Sequence, residues 1–182
     1  MKKYIKKQLK RIRIYFIFDA YKRTEYLVKN KVFKEVGKNF FYQPRKIPAD
    51  PEFIKFHDNV VVTSDVIFMT HDITHIMLNN MSKDYYYKYN SGCIEVMNNV
   101  FIGSGSIILP NITIGNNVVI AAGSVVTKNI ADNSVVAGNP ARVIESFDEY
   151  VQKRREKNEN LIEYTENISD DKLWDGFYKN KD

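Results

Sequence analysis

Histidine is the side chain best suited to exchange a proton near neutral pH, since its unperturbed pKa is about 6.5. This chain has three histidines, His57, His71 and His75. An imidazole that acts on a proton needs a partner on its other ring nitrogen to hold one tautomer. The sequence offers Asp72, directly after His71, and Glu95 as candidates for that partner. General acid–base chemistry is therefore within reach of this set of residues.

The single cysteine, Cys93, limits the thiol chemistry that the chain could perform. One cysteine excludes an intramolecular disulfide and is typical of a reducing cytoplasm. No histidine or asparagine frame surrounds Cys93 in the sequence, so we do not expect it to be a nucleophile.

A six-residue period indicates the scaffold that must position these side chains. One aliphatic residue returns every six positions from 96 to 126: Val96, Ile102, Ile108, Ile114, Ile120 and Val126. A helix repeats its apolar face every 3.6 residues and a strand every two, so neither explains a period of six. The period predicts a parallel β-helix in which three six-residue units make one triangular coil. Residues that tolerate positive φ are expected at its corners: Gly103, Gly105, Gly115, Asn116, Asn117 and Gly123.

The same period begins earlier, with Phe56, Val62 and Phe68. Phe68 and Val96 are not separated by a multiple of six, which predicts an insertion at about residues 71–93. That insertion opens with His71 and contains four tyrosines, and long excursions from a regular scaffold usually serve function. We expect it to project from the coil as an arm.

Three regions are predicted. Residues 1–35 lack glycine and proline and are expected to form one or two helices. Residues 36–146 are assigned to the β-helix, and residues 147–182 to a C-terminal helix and a polar tail.

Charge is modest overall but concentrated at the N-terminus. The 182 residues carry a net charge of +5, and seven cations without an acid lie in the first thirteen positions. No apolar run approaches the roughly 20 residues that cross a bilayer. We expect a cytoplasmic protein, in line with its single cysteine, and no nucleic-acid partner. The basic N-terminus is expected to cap the coil or to contact anionic lipids at the inner face of the membrane.

The segment IGSGSIILPNITIGNNVVIAAGSVVTKNIADNSVVAGNPARVI, at residues 102–144, resembles the hexapeptide-repeat acyltransferases. The similarity extends over roughly residues 36–147 and includes the MTHDIT segment at residues 69–74. It is strongest with the branch that contains maltose, galactoside and surface-polysaccharide O-acetyltransferases. The resemblance implies a left-handed coil, a homotrimer and active sites between neighbouring coils.

The resemblance also implies roles for individual residues. His71 corresponds to the family's catalytic histidine, a general base that takes a proton from a sugar hydroxyl. Acetyl-CoA would be the donor and no metal is expected; the residues implied in donor binding are Ser104, Ala122, Thr127, Lys128 and Arg142. Gln43 and Asp50 are the nearest matches to the family's acceptor-binding positions.

We therefore predict an acetyl-CoA-dependent O-acetyltransferase that acts on a sugar or a cell-surface polysaccharide precursor. An N-acetyltransferase of an amino sugar remains an alternative, because it needs the same base and donor. A metal hydratase of the γ-carbonic-anhydrase type would need three converging histidines. A non-catalytic β-helix protein is the remaining alternative.

Overall fold

Short parallel strands stacked on three faces make up most of the chain. The computed structural model describes residues 2–159 and, beyond them, residues 171, 174, 175 and 178. The helices are α1 (Lys2–Tyr15), α2 (Ala20–Lys29), α3 (Thr74–Met81) and α4 (Phe147–Glu159). The strands are β1 (Glu35–Val36), β2 (Phe41–Tyr42), β3 (Ile54–Phe56), β4 (Val60–Val62), β5 (Ile67–Phe68), β6 (His71–Asp72), β7 (Asn90–Ser91), β8 (Ile94–Val96), β9 (Val100–Ile102), β10 (Ile107–Ile108), β11 (Ile112–Ile114), β12 (Val118–Ile120), β13 (Val125–Val126), β14 (Ser134–Gly138) and β15 (Ala141–Ser146).

Each face of the coil is a parallel sheet built from successive turns of the chain. The first face has the order β1-β3-β8-β11, the second β15-β14-β12-β9-β4-β2, and the third β13-β10-β5. All neighbours within these faces are parallel except β14 and β15, which are antiparallel. The predicted parallel β-helix architecture is therefore present.

The residues of the six-residue period form the core. All six predicted positions from Val96 to Val126 are at most 1% exposed. Phe56, Val62 and Phe68 are buried as well. Burying one such aliphatic side chain stabilises the fold by about 1.5–3 kcal/mol, so stacking the coils supplies much of the driving force for folding.

The corners follow the sequence prediction only in part. Gly105, Asn117 and Gly123 have positive φ as expected, but Gly103, Gly115 and Asn116 do not. Gly103 is needed for a different reason, because a Cβ at this position would lie 2.4 Å from the backbone nitrogen of Ala122 in the next coil. Close approach of stacked backbones therefore requires this glycine.

Asparagines stack along one corner and join the coils through their side chains. Asn59, Asn99, Asn117 and Asn133 all have positive φ. Their side-chain amides form a ladder with N···O distances of 2.9, 2.8 and 2.8 Å. Successive asparagines of the ladder are 40, 18 and 16 residues apart in the sequence. The first interval exceeds the second by the 22 additional residues of the insertion.

The insertion leaves the coil after β5 and returns at β8. It contains α3 between β6 and β7, which pair antiparallel at its base. The sequence predicted the excursion but not the helix. Several of its large apolar side chains are exposed, among them Ile76, Met77, Tyr85 and Tyr86.

The N-terminal helices pack against the start of the coil. Ile14 of α1 and Leu27 of α2 are fully buried. The described cations of α1 interact within the chain: Lys10 donates to the Asn30 carbonyl at 2.7 Å, and the Arg13 guanidinium lies 5.4 Å from the Tyr26 ring centroid. Within the described residues, none of the helices has the length and apolarity to span a bilayer. Contact of α1 with lipids stays a prediction.

The chain forms two compact units, Met1–Asp148 and Glu149–Asp182. A turn at residues 139–140 reverses the chain between β14 and β15, and α4 follows. The predicted region boundaries after residues 35 and 146 stay predictions. Most of the predicted C-terminal tail lies outside the described residues.

Candidate active site

A hydrogen bond between His71 and Asp50 is the central feature of the site. The Nδ1 atom of His71 lies 2.7 Å from Oδ2 of Asp50, and both side chains are about one quarter exposed. Since an ionised carboxylate only accepts, Nδ1 carries the proton and donates it. The other ring nitrogen, Nε2, is then left with a free lone pair that can accept a proton.

Asp50 is therefore the partner of His71, and the two candidates that the sequence offered, Asp72 and Glu95, have other partners. Asp72 accepts hydrogen bonds from Thr74 and Asn90, which lower its pKa. Glu95 lies 3.0 Å from Nε2 of His57, and this hydrogen bond lowers the pKa of Glu95.

The segment that carries Asp50 is held by side chains from three earlier elements. These bonds all end on backbone carbonyls: Arg23 on Gln43 at 2.6 Å, the Tyr42 hydroxyl on Lys46 at 2.8 Å, and Arg11 on Pro48 and Ala49 at 2.8 and 2.6 Å. Thr70 also donates to Oδ2 of Asp50 at 3.1 Å. The carboxylate thus reaches His71 through an anchored main chain.

A cleft of about 880 Å³ opens beside the pair. Its walls are the end of α1 and the start of α2, residues 43–49, and the third face of the coil around β5. His71 and Thr70 line it. The volume falls within the range of small-molecule sites in proteins.

Tyr89 packs against the histidines at the base of the arm. Its ring centroid lies 5.4 Å from those of both His71 and His75. Burial raises the pKa of Tyr89, and the charges of Asp50 and Asp72 raise it further. The neutral phenol therefore persists at physiological pH and lies beside the His71 ring.

The residues implied in donor binding fall on more than one edge of the coil. β5 and β13 belong to the same face of the coil, and Thr127 and Lys128 directly follow β13. They therefore lie at the same edge of the coil as His71, which follows β5 by three residues. They lie two coils away, which is about 10 Å along the axis. Arg142 lies on β15 opposite Ala137 and donates to the carbonyl of Ala141.

Ser104 and Ala122 stack on a different edge, between the second and third faces. The Ser104 hydroxyl donates to that of Thr63 at 3.1 Å, and both Ser104 and Ala122 are exposed. One whole face separates them from His71, so the single chain does not bring these groups together. Gln43 belongs to the cleft, where its side-chain oxygen accepts from the backbone nitrogen of Ser64 at 3.1 Å.

Sequence reasoning selected Asp50 for acceptor binding but missed its contact with His71. The available signal was a carboxylate flanked by prolines in the non-periodic segment before the coil. In the part of the chain that the structure describes, no three His, Cys, Asp or Glu side chains form a group suited to a metal.

Comparison with known proteins places this geometry in a family. The family model for the bacterial transferase hexapeptide (six repeats) matches residues 94–128. The protein CapG of Staphylococcus aureus is 44% identical over 105 residues, which are 58% of this chain and 59% of CapG. The chain spans 54–59% of the length of the curated relatives that it matches.

Two solved structures extend the likeness over most of the chain. A maltose O-acetyltransferase from Clostridium difficile 630 is 30% identical and has a TM-score of 0.58; the match covers 78% of this chain and 87% of that one. A galactoside acetyltransferase in complex with coenzyme A is 26% identical with a TM-score of 0.58, over 91% of this chain and 88% of that one. With its repeat, its three-faced coil and these similarities, the chain belongs to the hexapeptide-repeat acyltransferase family.

Proposed function

We propose that this protein transfers an acetyl group from acetyl-CoA to a hydroxyl of a sugar or of a cell-surface polysaccharide precursor. The observation that carries the proposal is the 2.7 Å hydrogen bond from His71 to Asp50 at the wall of a large cleft. Similarity to maltose and galactoside acetyltransferases supports the reaction class. Acceptor identity is part of the proposal and not of the family assignment.

His71 acts as the general base. Nδ1–H donates to Asp50, so Nε2 takes the proton from the acceptor hydroxyl as its oxygen attacks the thioester carbonyl. Asp50 then stabilises the imidazolium that forms, because its carboxylate is already hydrogen-bonded to Nδ1 before the reaction. The sulfur of coenzyme A leaves and takes up the proton, so no covalent intermediate on the protein is required.

The donor site is completed by a neighbouring subunit of a homotrimer with left-handed coils. Two observations support this arrangement. Ser104 and Ala122 lie one face away from His71, so a second chain is needed to bring such an edge to the imidazole. The arm also exposes apolar side chains such as Met77 and Tyr86, which fit burial against another subunit.

At that interface, small and cationic residues would receive the donor. Ala122 leaves room for the pantetheine arm to approach the backbone, while Lys128 and Arg142 would pair with the phosphates. Gln43 lines the acceptor cleft. Presence in the cytoplasm, with or without contact to the inner membrane face, also remains part of this proposal.

Release of the coenzyme A thiol tests the function. Acetyl-CoA is incubated with the protein and a panel of neutral sugars, amino sugars, sugar acids and sugar phosphates, and the thiol is detected with a chromogenic disulfide. Acceptor-dependent release with acetyl-ester product, identified by mass spectrometry, supports O-transfer. Amide product would support N-transfer instead, and no release with any acceptor would contradict acetyl transfer.

A further inference from the structure

The cleft beside His71 is cationic at its other wall. Arg23, Arg45 and Lys46 all line it, while Asp65 is the only lining carboxylate among the described residues. Asp50, which contacts His71 beside the cleft, adds one more negative charge, and the three cations still outnumber the two carboxylates. The cleft therefore favours an anion over a neutral molecule.

Arg45 and Lys46 are exposed and available to a ligand. Neither makes an ion pair with any residue in the described part of the chain. The Arg45 guanidinium lies over the Phe18 ring, 4.9 Å from its centroid. This cation–π contact holds the guanidinium beside the ring, and within the described residues its N–H groups make no hydrogen bond, so they are available to a ligand.

Lys46 is placed by the main chain beneath it. The buried hydroxyl of Tyr42 donates to the Lys46 carbonyl at 2.8 Å. The backbone that carries Lys46 thus belongs to the same anchored segment that brings Asp50 to His71. The two cations and the partner of the base consequently lie within six residues of one another in this segment.

Arg23 supplies a second, independent sign of positive potential. Its side chain is 3% exposed and donates to the carbonyls of Ile17, Phe18 and Gln43, yet its Nε atom has no hydrogen-bond partner among the described residues. Burial lowers the pKa of Arg23, and repulsion from Arg45 lowers it further, although Asp19 opposes this. Repulsion between neighbouring like charges of this kind decreases when an anion binds.

We propose that the acceptor carries an acidic group, a carboxylate or a phosphate, which Arg45 and Lys46 bind while the reacting hydroxyl lies at His71. This inference rests on the proposed acetyl transfer and names the class of its acceptor. Guanidinium groups pair with both anions through two parallel hydrogen bonds, so the chemistry is shared between sugar acids and sugar phosphates.

Calorimetric titration separates these acceptor classes. Glucose, glucuronic acid and glucose 1-phosphate are titrated into the full-length protein, alone and with saturating coenzyme A. We expect at least one anionic probe to bind about tenfold or more tightly than glucose. Saturating coenzyme A should not change this preference, because its phosphates are proposed to bind Lys128 and Arg142, which do not line the cleft. Equal affinity for all three probes, or loss of the preference with coenzyme A, would overturn the proposal.

Matched charge variants identify the residues. The double variant Arg45→Gln/Lys46→Gln should lose the preference for the anionic probes and keep the affinity for glucose. The control Lys34→Gln/Lys38→Gln removes the same charge from exposed positions outside the cleft and should behave as wild type. Circular dichroism checks that each variant is folded. A preference that persists in the Arg45/Lys46 variant would overturn the assignment.

Failure of this inference differs from failure of the acetyl transfer. Thiol release with neutral sugars, without a preference for anions, would support acetyl transfer and reject the acidic acceptor. A preference for anions without thiol release for any acceptor would reject acetyl transfer and support an anion-binding site in the cleft.

Discussion

At the level of single residues, the Asp50–His71 contact decides which ring nitrogen is basic. The carboxylate lies 2.7 Å from Nδ1, which assigns the proton to that nitrogen and the lone pair to Nε2. A base of this kind gives about 10²- to 10⁴-fold acceleration. The pair is therefore where substitutions should act on turnover and not on folding.

Replacing His71 by Ala should reduce kcat by at least about 100-fold, because the variant lacks Nε2, the proposed acceptor of the hydroxyl proton. The variant should keep its circular dichroism spectrum and thermal midpoint, since the side chain is partly exposed. Thiol release from acetyl-CoA measures the change. Unchanged kcat would reject His71 as the base.

Replacing Asp50 by Asn should lower kcat by roughly 10- to 100-fold, because the amide does not stabilise the imidazolium. The double variant Asp50→Asn/His71→Ala separates this positioning role from a structural one. If Asp50 acts through His71, the second substitution adds no further loss of kcat to that of His71→Ala. Additive losses would show that Asp50 acts independently.

Physical reasons explain why His71 could be found from the sequence and its partner could not. His71 lies where the six-residue period breaks, and it matches a motif. Asp50 lies 21 residues earlier in a segment without periodicity. Its contact depends on bonds from Arg11 and Arg23 to distant carbonyls, and such long-range anchoring leaves no local pattern.

At the level of elements, the coil is the part that the sequence predicted best. A period of six has to place one residue inward on every strand, and stacking makes the same position recur in each coil. Glycine use was predicted less well, because a glycine required by close backbone approach looks the same in sequence as one required by positive φ. Gly103 and Gly105 illustrate the two cases.

Gly103→Ala and Gly105→Asn form a matched pair that tests this distinction. A Cβ at Gly103 meets backbone of the next coil, so the substitution should lower the free energy of unfolding by about 1–3 kcal/mol. At Gly105 no atom lies within 4 Å and φ is +71°, which asparagine tolerates, so the loss should stay below about 1 kcal/mol. Denaturant unfolding gives both values. Equal losses would contradict the assigned role of Gly103.

The His57–Glu95 contact joins β3 and β8 and should make stability depend on pH. The hydrogen bond from His57 lowers the pKa of Glu95 below 4.5, so folding favours the ionised form. The resulting stabilisation is present above pH 4.5 and is lost as the pH falls through the lower, folded-state value. Wild type should therefore exceed Glu95→Gln in free energy of unfolding at pH 7, and the gap should shrink in acid.

Glu35→Gln is the control for this measurement, since Glu35 is an exposed residue of the same face whose side chain makes no hydrogen bond in the described structure. Denaturant curves at several pH values follow both variants. A gap for Glu95→Gln that is constant with pH would contradict the charge effect.

At the level of the whole molecule, the separation of Ser104 and Ala122 from His71 requires more than one chain in the proposed site. Mixed trimers test this directly. His71→Ala and Ala122→Trp are each expected to be inactive, the first without a base and the second with a blocked donor groove. Co-expressed together, they should regain roughly a quarter of wild-type activity, because a quarter of the interfaces then combine two intact edges.

The control for this mixing experiment combines Ala122→Trp with the double variant His71→Ala/Ala122→Trp, which leaves no intact interface. Light scattering coupled to size exclusion gives the subunit number. Full inactivity of the mixed variants, or a monomer by light scattering, would contradict a shared site.

The 22 extra residues between β5 and β8 re-enter the stack in the register at which they left it. The packing of the hydrophobic interior consequently does not depend on the length of this insertion. We therefore expect loops of other lengths to be accommodated here without displacing the inward side chains, provided that His71 keeps its place where the chain leaves the coil. Changes in the length of this loop should therefore alter contacts on the outside of the coil and leave the stacked core intact.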